Sequence, residues 1–201
     1  MYRHFLIAST AALALSLAGC DKKAEQTADS VANSAASTAD TAGAMASNAM
    51  VDVQQAMTPT PTAKDFVDKA ARSDAFEIAA AKIAQTNASS QAVKDFAAEM
   101  IKAHTESTAK IKAAAAAATP AITPNATLTE DQNEDLAELR TKKGAAFDEA
   151  YIDDQVDAHE DALVLMRDYA EHGDTASLKT AAGEIAPVVQ KHLEHAKSLD
   201  K

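Results

Sequence analysis

The sequence predicts an all-α fold, an antiparallel four-helix bundle with a short extra helix between the second and third main helices. Three observations predict it. Beyond Thr62, apolar side chains recur at alternating three- and four-residue steps through four long stretches, the period of one face of a helix. The composition is helical, with alanine abundant, no Trp, and only 5 Gly and 5 Pro in 201 residues. The connections between the stretches are short or medium and carry caps and stops, which suits antiparallel neighbours.

Residues 1–19 read as a secretory leader. Arg3 supplies a positive start, Phe5 to Ala18 an apolar run, and small residues precede the cut. With Ser9, Thr10 and Ser16 inside it, the run is too short to span a bilayer as a mature helix. Leu17-Ala18-Gly19-Cys20 resembles the bacterial lipobox, and Cys20 is the only cysteine. That likeness implies a lipid thioether on Cys20, removal of residues 1–19, and a membrane as partner through the anchor, with several acyl chains giving stable attachment. A protein of the bacterial cell envelope facing the periplasm is the expectation. Asp21 resembles an inner-membrane retention signal, so the choice of membrane stays open.

Charge narrows the partners further. The 19 basic side chains face 30 acidic ones, a net of −11, and loss of the leader would remove only Arg3. An acidic chain without a Lys/Arg cluster argues against nucleic acid. With a single cysteine no intramolecular disulfide can form, so stability must come from a packed core.

Residues 20–61 are rich in Ala, Ser, Thr and Asp, with few large apolar side chains, and end in Pro59-Thr60-Pro61. Such a segment buries too little surface to offset its ordering entropy and reads as a tether. Met45, Met50 and Met57 within it are soft enough for Cu(I) but read as incidental in a low-complexity stretch.

The domain follows at 62–201. Thr62 and Asp65 form a helix-start signal, and Phe66, Ala70, Ser73, Phe76, Ala80 and Ile83 make the first stripe. The second is Val93, Phe96, Met100, His104 and Ile111, stopped near Thr119-Pro120. Thr129 with Gln132 forms a capping box for a short helix carrying Leu136 and Leu139, which runs to Gly144. Its acidic side chains, Glu130, Asp131, Glu134, Asp135 and Glu138, read as a solvated face. The third main stripe is Phe147, Ile152, Val156, His159, Leu163, Met166 and Ala170, with Gly173 fitting a left-handed C-cap. Asp174 is placed to cap the fourth helix, whose stripe is Leu178, Ile185, Val188, His192, Ala196 and Leu199. Pro187 lies inside that helix and cannot donate to the Gly183 carbonyl, which predicts a kink.

Three histidines, His104, His159 and His192, fall on the core stripes of three different helices, and the first helix offers Glu77 beside its own stripe. All four lie near mid-helix, so antiparallel packing brings them to similar depth. One imidazole per helix with a carboxylate is how a bundle builds a site for Zn, Cu or Fe. Tyr151, two turns before His159, is placed to hydrogen-bond into the cluster. His195 reads as a surface residue within reach of an ion shared with His192. The competing reading is a buried His and Glu network that fixes helix register without a ligand.

Several chemistries are excluded. Di-iron carboxylate bundles require Glu-x-x-His, whereas Ile101, Val156, Val189 and His192 stand three residues before His104, His159, His192 and His195. No Gly-rich phosphate loop or Gly-x-Ser-x-Gly is present, and lipidation of Cys20 would leave no thiol nucleophile.

Phe96-x-x-x-Met100 leading to His104-Thr105, Phe147-Asp148-x-x-Tyr151 with His159 eight residues on, and Pro187 followed by His192-Leu193 resemble a ferritin-like bacterial envelope family. It is the domain of unknown function 4142 family, often labelled predicted outer membrane protein. The likeness covers residues 64–199 and implies a four-helix ferritin-like bundle, without an established reaction. Related sequences commonly carry an acidic residue directly before the second-helix histidine, where this chain has Ala103. A ligand or orienting carboxylate is missing there. The expectation is a non-enzymatic binding or stress-protective module centred on the His/Glu cluster; the alternative is a mononuclear metal-dependent redox enzyme.

Overall fold

A computed structural model describes residues 59–200. The leader, Cys20 and Met45, Met50 and Met57 of the tether lie outside the described residues. Five helices and no strands are found among the described residues: α1 (Ala63–Asn87), α2 (Gln91–Ala116), α3 (Glu130–Thr141), α4 (Ala145–His172) and α5 (Ala176–Leu199). None is long and apolar enough to cross a membrane. Caps begin two of them where the sequence places them. The Thr62 hydroxyl accepts from the Asp65 amide at 3.2 Å, and Thr129 and Gln132 close a reciprocal capping box with two bonds of 3.1 Å.

Contacts at the helix ends fix the topology. The start of α1 meets the end of α4, where Phe66 stacks on Tyr169 at 3.9 Å between ring centroids. The end of α1 meets the start of α4, where the Gly144 amide donates to the Asn87 carbonyl at 2.9 Å. These two helices therefore run antiparallel. Helix α2 starts at that same end, where the Ser89 and Ser90 amides donate to the Asp148 carboxylate at 3.0 and 2.9 Å. Helix α5 runs back against it, its late residue His195 meeting Glu99 and its early residue Ser177 meeting the Ala114 carbonyl. Thus α1–α2 and α4–α5 are two hairpins, α2 and α4 are parallel, and residues 117–144 must travel the length of the bundle. A single long crossover is the ferritin-like variant of a four-helix bundle.

Helix α3 lies on that crossover and plugs one end with Leu136 and Leu139, 2 and 1 % exposed. The Asn87 side chain ties it down, donating to the carbonyls of Leu139, Arg140 and Lys142, the last at 3.1 Å. Gly144 then turns the chain with φ of +64°, a conformation that favours glycine. The acidic residues of α3 are exposed, as expected of a solvated face. Burial, together with Asp135, Glu138, Asp153 and Asp157 nearby, pushes the Asp154 carboxyl on α4 up to about 6.

The apolar core comes in two parts. One gathers Phe76, Ala80, Phe96, Met100, Phe147, Tyr151 and the α3 leucines, and the other Phe66, Ile111, Leu163, Tyr169, Leu178 and Ile185. Between them, at mid-bundle, lie the buried polar residues Asp74, Glu77, His104, Gln155, His159 and His192.

Three local expectations are corrected. Gly173 is not left-handed; its φ is −56°. It is glycine because a Cβ there would come within 2.5 Å of Tyr169. Asp174 does not cap α5, since its carboxylate accepts from the Tyr169 hydroxyl at 2.7 Å and the N-cap position passes to Thr175. Val188 is 43 % exposed and Val189 faces the core, because the α5 stripe drifts by one residue around the solvent-facing Pro187. The helix continues through Pro187.

Leu163, 3 % exposed within the second apolar part, should cost about 2 to 5 kcal/mol on replacement by Ala. Gly173→Ala should also destabilise, through its clash with Tyr169, while the exposed Glu134→Ala should stay within about 0.5 kcal/mol. Urea unfolding of the three variants checks the order.

Candidate metal centre

Helices α2, α4 and α5 each deliver one buried imidazole to the middle of the bundle. His104, His159 and His192 are 7, 1 and 5 % exposed, and one ligand nitrogen of each lies within 4.8 Å of those of the other two. Ring centroids are 5.6, 6.1 and 5.5 Å apart. The stripes predicted for these helices therefore do bring the three histidines together.

Each ring has a buried nitrogen without a hydrogen bond. His104 Nδ1 is 2.9 Å from Asp74 Oδ1, and the other Asp74 oxygen accepts from the Thr108 hydroxyl at 3.0 Å. His159 Nδ1 donates to the Gln155 backbone carbonyl, one turn earlier, at 2.8 Å. His192 Nε2 lies 3.8 Å from Glu99 Oε1. The remaining nitrogens, His104 Nε2, His159 Nε2 and His192 Nδ1, are buried without a hydrogen-bond partner. Three convergent imidazole nitrogens, two of whose rings are oriented from behind by a carboxylate and a carbonyl, could hold a transition metal. An unpaired buried nitrogen is costly, and three in one place call for a shared ligand.

Of the other sequence-predicted residues, Glu77 is 1 % exposed beside the triad but outside the group of mutually close ligand atoms. One of its oxygens accepts from the Gln155 side chain, and the other has no partner. Tyr151 is fully buried, yet its hydroxyl makes no hydrogen bond, so the expected link into the cluster is absent. Its ring stacks on Phe147 at 5.7 Å in the first apolar part, and burial together with the Glu77 charge raises its hydroxyl well above the ordinary value. His195 is a surface residue as expected, its Nδ1 3.1 Å from Glu99 Oε2.

Sequence reasoning missed Asp74 and Gln155. The orienting carboxylate absent at Ala103 comes instead from the neighbouring helix, through Asp74. Only its place four residues after Ala70, on the inner face, signals it.

Burial sets the charge states. It holds the His159 imidazole down at about 3, with the His104 charge adding to the effect, and His192 at about 4 for the same two reasons. Burial acts on His104 in the same direction, but the Asp74 hydrogen bond and the charges of Glu77 and Asp74 outweigh it and raise the ring above its ordinary value. The Glu77 carboxyl is pushed by burial to about 7, with His104 and Gln155 opposing. At neutral pH, His159 and His192 are thus neutral donors, and the first proton that the triad takes up goes to His104.

No curated protein matches the chain. The solved structure of CopM in the Cu(I)-bound form is similar in fold, with a TM-score of 0.57 and 14% identity over 69% of this chain and 94% of that one. Residues 48–199 match the family described as domain of unknown function DUF4142, and the chain belongs to that family.

Proposed function

We propose that the bundle binds a single Cu(I) ion through His104, His159 and His192, in a protein anchored to a membrane by lipid on Cys20 and facing the periplasm. The observation that carries the metal reading is the convergence of three buried imidazole nitrogens without partners. Their burial favours a bare ion over any larger substrate, and so a binding module over a redox enzyme.

The donor set favours copper in its lower oxidation state. Three neutral nitrogens suit a trigonal monocation, whereas Zn(II) on three histidines needs a water in a fourth position and the Fe(II) facial triad needs a carboxylate. Glu77 stands outside the close group, and its carboxyl near 7 is about half protonated at neutral pH, which disfavours burying a second positive charge. The Cu(I) of the fold neighbour CopM points the same way. The lipobox-like Leu17-Ala18-Gly19-Cys20 supports the anchor.

Untagged mature protein titrated anaerobically with Cu(I) against bicinchoninate should take up one ion per chain, and His159→Ala should abolish both uptake and the metal-induced rise in melting temperature. Absence of saturable binding would leave a purely structural histidine network. Asp74→Ala should weaken binding about 10- to 100-fold, since it leaves His104 Nδ1 without its acceptor and frees the ring.

The pH dependence follows from one proton. His104, raised above its ordinary value, is the first ring to take up a proton that an ion must displace, while His159 and His192 at about 3 and about 4 stay free until much lower pH. Affinity should therefore fall as pH drops through the raised His104 value, approaching about tenfold per pH unit below it, with the steeper loss of three competing protons reached only near the lower two values. The same competition titration, repeated between neutral and mildly acid pH, reads the slope.

For the anchor, wild-type protein should partition with membranes and carry acyl mass. Cys20→Ala should do neither, as intact-mass analysis of the two will show.

A further inference from the structure

The three rings of the triad are not held alike. His104 is fixed by Asp74 at 2.9 Å and His159 by a backbone carbonyl at 2.8 Å. Glu99 Oε1 faces the second nitrogen of His192 at 3.8 Å, too long for a hydrogen bond. His192 is thus the one ligand free to turn without breaking a bond.

Glu99 also reaches outward. Its side chain is 47 % exposed, and its second oxygen lies 3.1 Å from Nδ1 of His195, itself 43 % exposed. His195 stands three residues beyond His192 on α5, the spacing of neighbours on one helix face. The edge of its ring packs on Phe96 at 5.1 Å and 87°, which holds it against Glu99. Glu99 thus links the exposed His195 to the buried His192, whose ring lies 6.1 and 5.5 Å from those of His104 and His159.

We propose that Glu99 and His195 form a surface site that takes up the metal ion and passes it to the buried triad through rotation of His192. The inference rests on the triad being the metal's resting place, as argued above. Transfer is ligand exchange without change of oxidation state: His192 bonds the ion before Glu99 releases it, so the ion is never buried without a donor. Glu99 offsets its charge at the step where water is lost. The strongly acidic chain, at −11, concentrates cations near such a site.

The test is kinetic, on the mature chain under anaerobic conditions. Stopped-flow mixing with the Cu(I)–bicinchoninate complex reads loading, and mixing of the loaded protein with excess bathocuproine reads release. A group on the route alters both directions in the same proportion, whereas a group that only orients His192 alters release alone. His195→Ala and Glu99→Gln should each slow loading about tenfold, and His195→Ala should slow release to match. Glu184→Gln, which removes an acid paired with Lys110 about three turns further along the same pair of helices, should load as wild type. Both residues are surface-exposed, and an unshifted apo melting temperature will show that the variants stay folded. Wild-type loading rates in His195→Ala and Glu99→Gln, or faster release with unaltered loading, would overturn the route while leaving the triad reading intact. If the wild-type chain binds no Cu(I), the triad reading fails and the route with it.

Discussion

A layer of polar side chains sealed at mid-bundle between two apolar halves is the constraint to which the rest of the structure answers. Imidazoles and carboxyls removed from water cost several kcal/mol each unless they meet partners. Here the partners come from other helices or from the preceding turn: Asp74 of α1 serves His104 of α2, and Glu77 of α1 accepts from Gln155 of α4. Such pairs exist at one helix register only, because a slip of one residue would put Asp74 or His159 against the apolar halves. The layer therefore sets the relative heights of the four long helices, which Leu and Ala stripes alone would leave loose.

The same layer accounts for the spread of proton affinities across a few ångströms. His104 and His159 are both buried histidines, yet one is raised and the other depressed to about 3. The difference is that His104 has the Asp74 carboxylate behind it and the Glu77 charge nearby, whereas His159 has only a backbone carbonyl. Once His104 carries the charge, it suppresses protonation of its neighbours. Three similar rings thereby behave as one base and two neutral donors, an arrangement that favours a single positive charge in the cluster.

Much of this was legible in the sequence and some of it was not. Period and capping suffice for the five helices and for the three histidines, because a side chain on an apolar stripe has only the core to face. Asp74 escapes that logic. It is a charged residue one position from the predicted stripe member Ser73, and pattern alone assigns such residues to solvent; only the presence of His104 across the helix interface makes its burial tolerable. Gln155 is hidden for a similar reason, since its service to His159 runs through a backbone carbonyl that every residue owns. The errors at Gly173, Asp174 and Val188 are of another kind. Local preference names what a residue can do as a cap or a stripe member, but Tyr169 occupies the space and the hydrogen bond that decide it at Gly173 and Asp174, and at Val188 the drift of the stripe past Pro187 decides it.

The parallel course of α2 and α4 has a consequence for how the molecule assembles. Each hairpin, α1–α2 and α4–α5, can form from neighbours in sequence, but residues 117–144 separate the two, so docking them is the slow, long-range event that must offset loop-closure entropy. The histidines are divided unequally across that junction, with His104 on the first hairpin and His159 and His192 on the second. Neither half owns a complete triad. The cluster comes into being only when the halves meet, and any ion that it holds acts as a clasp between two pieces of chain, its affinity counted in the free energy that keeps them from parting.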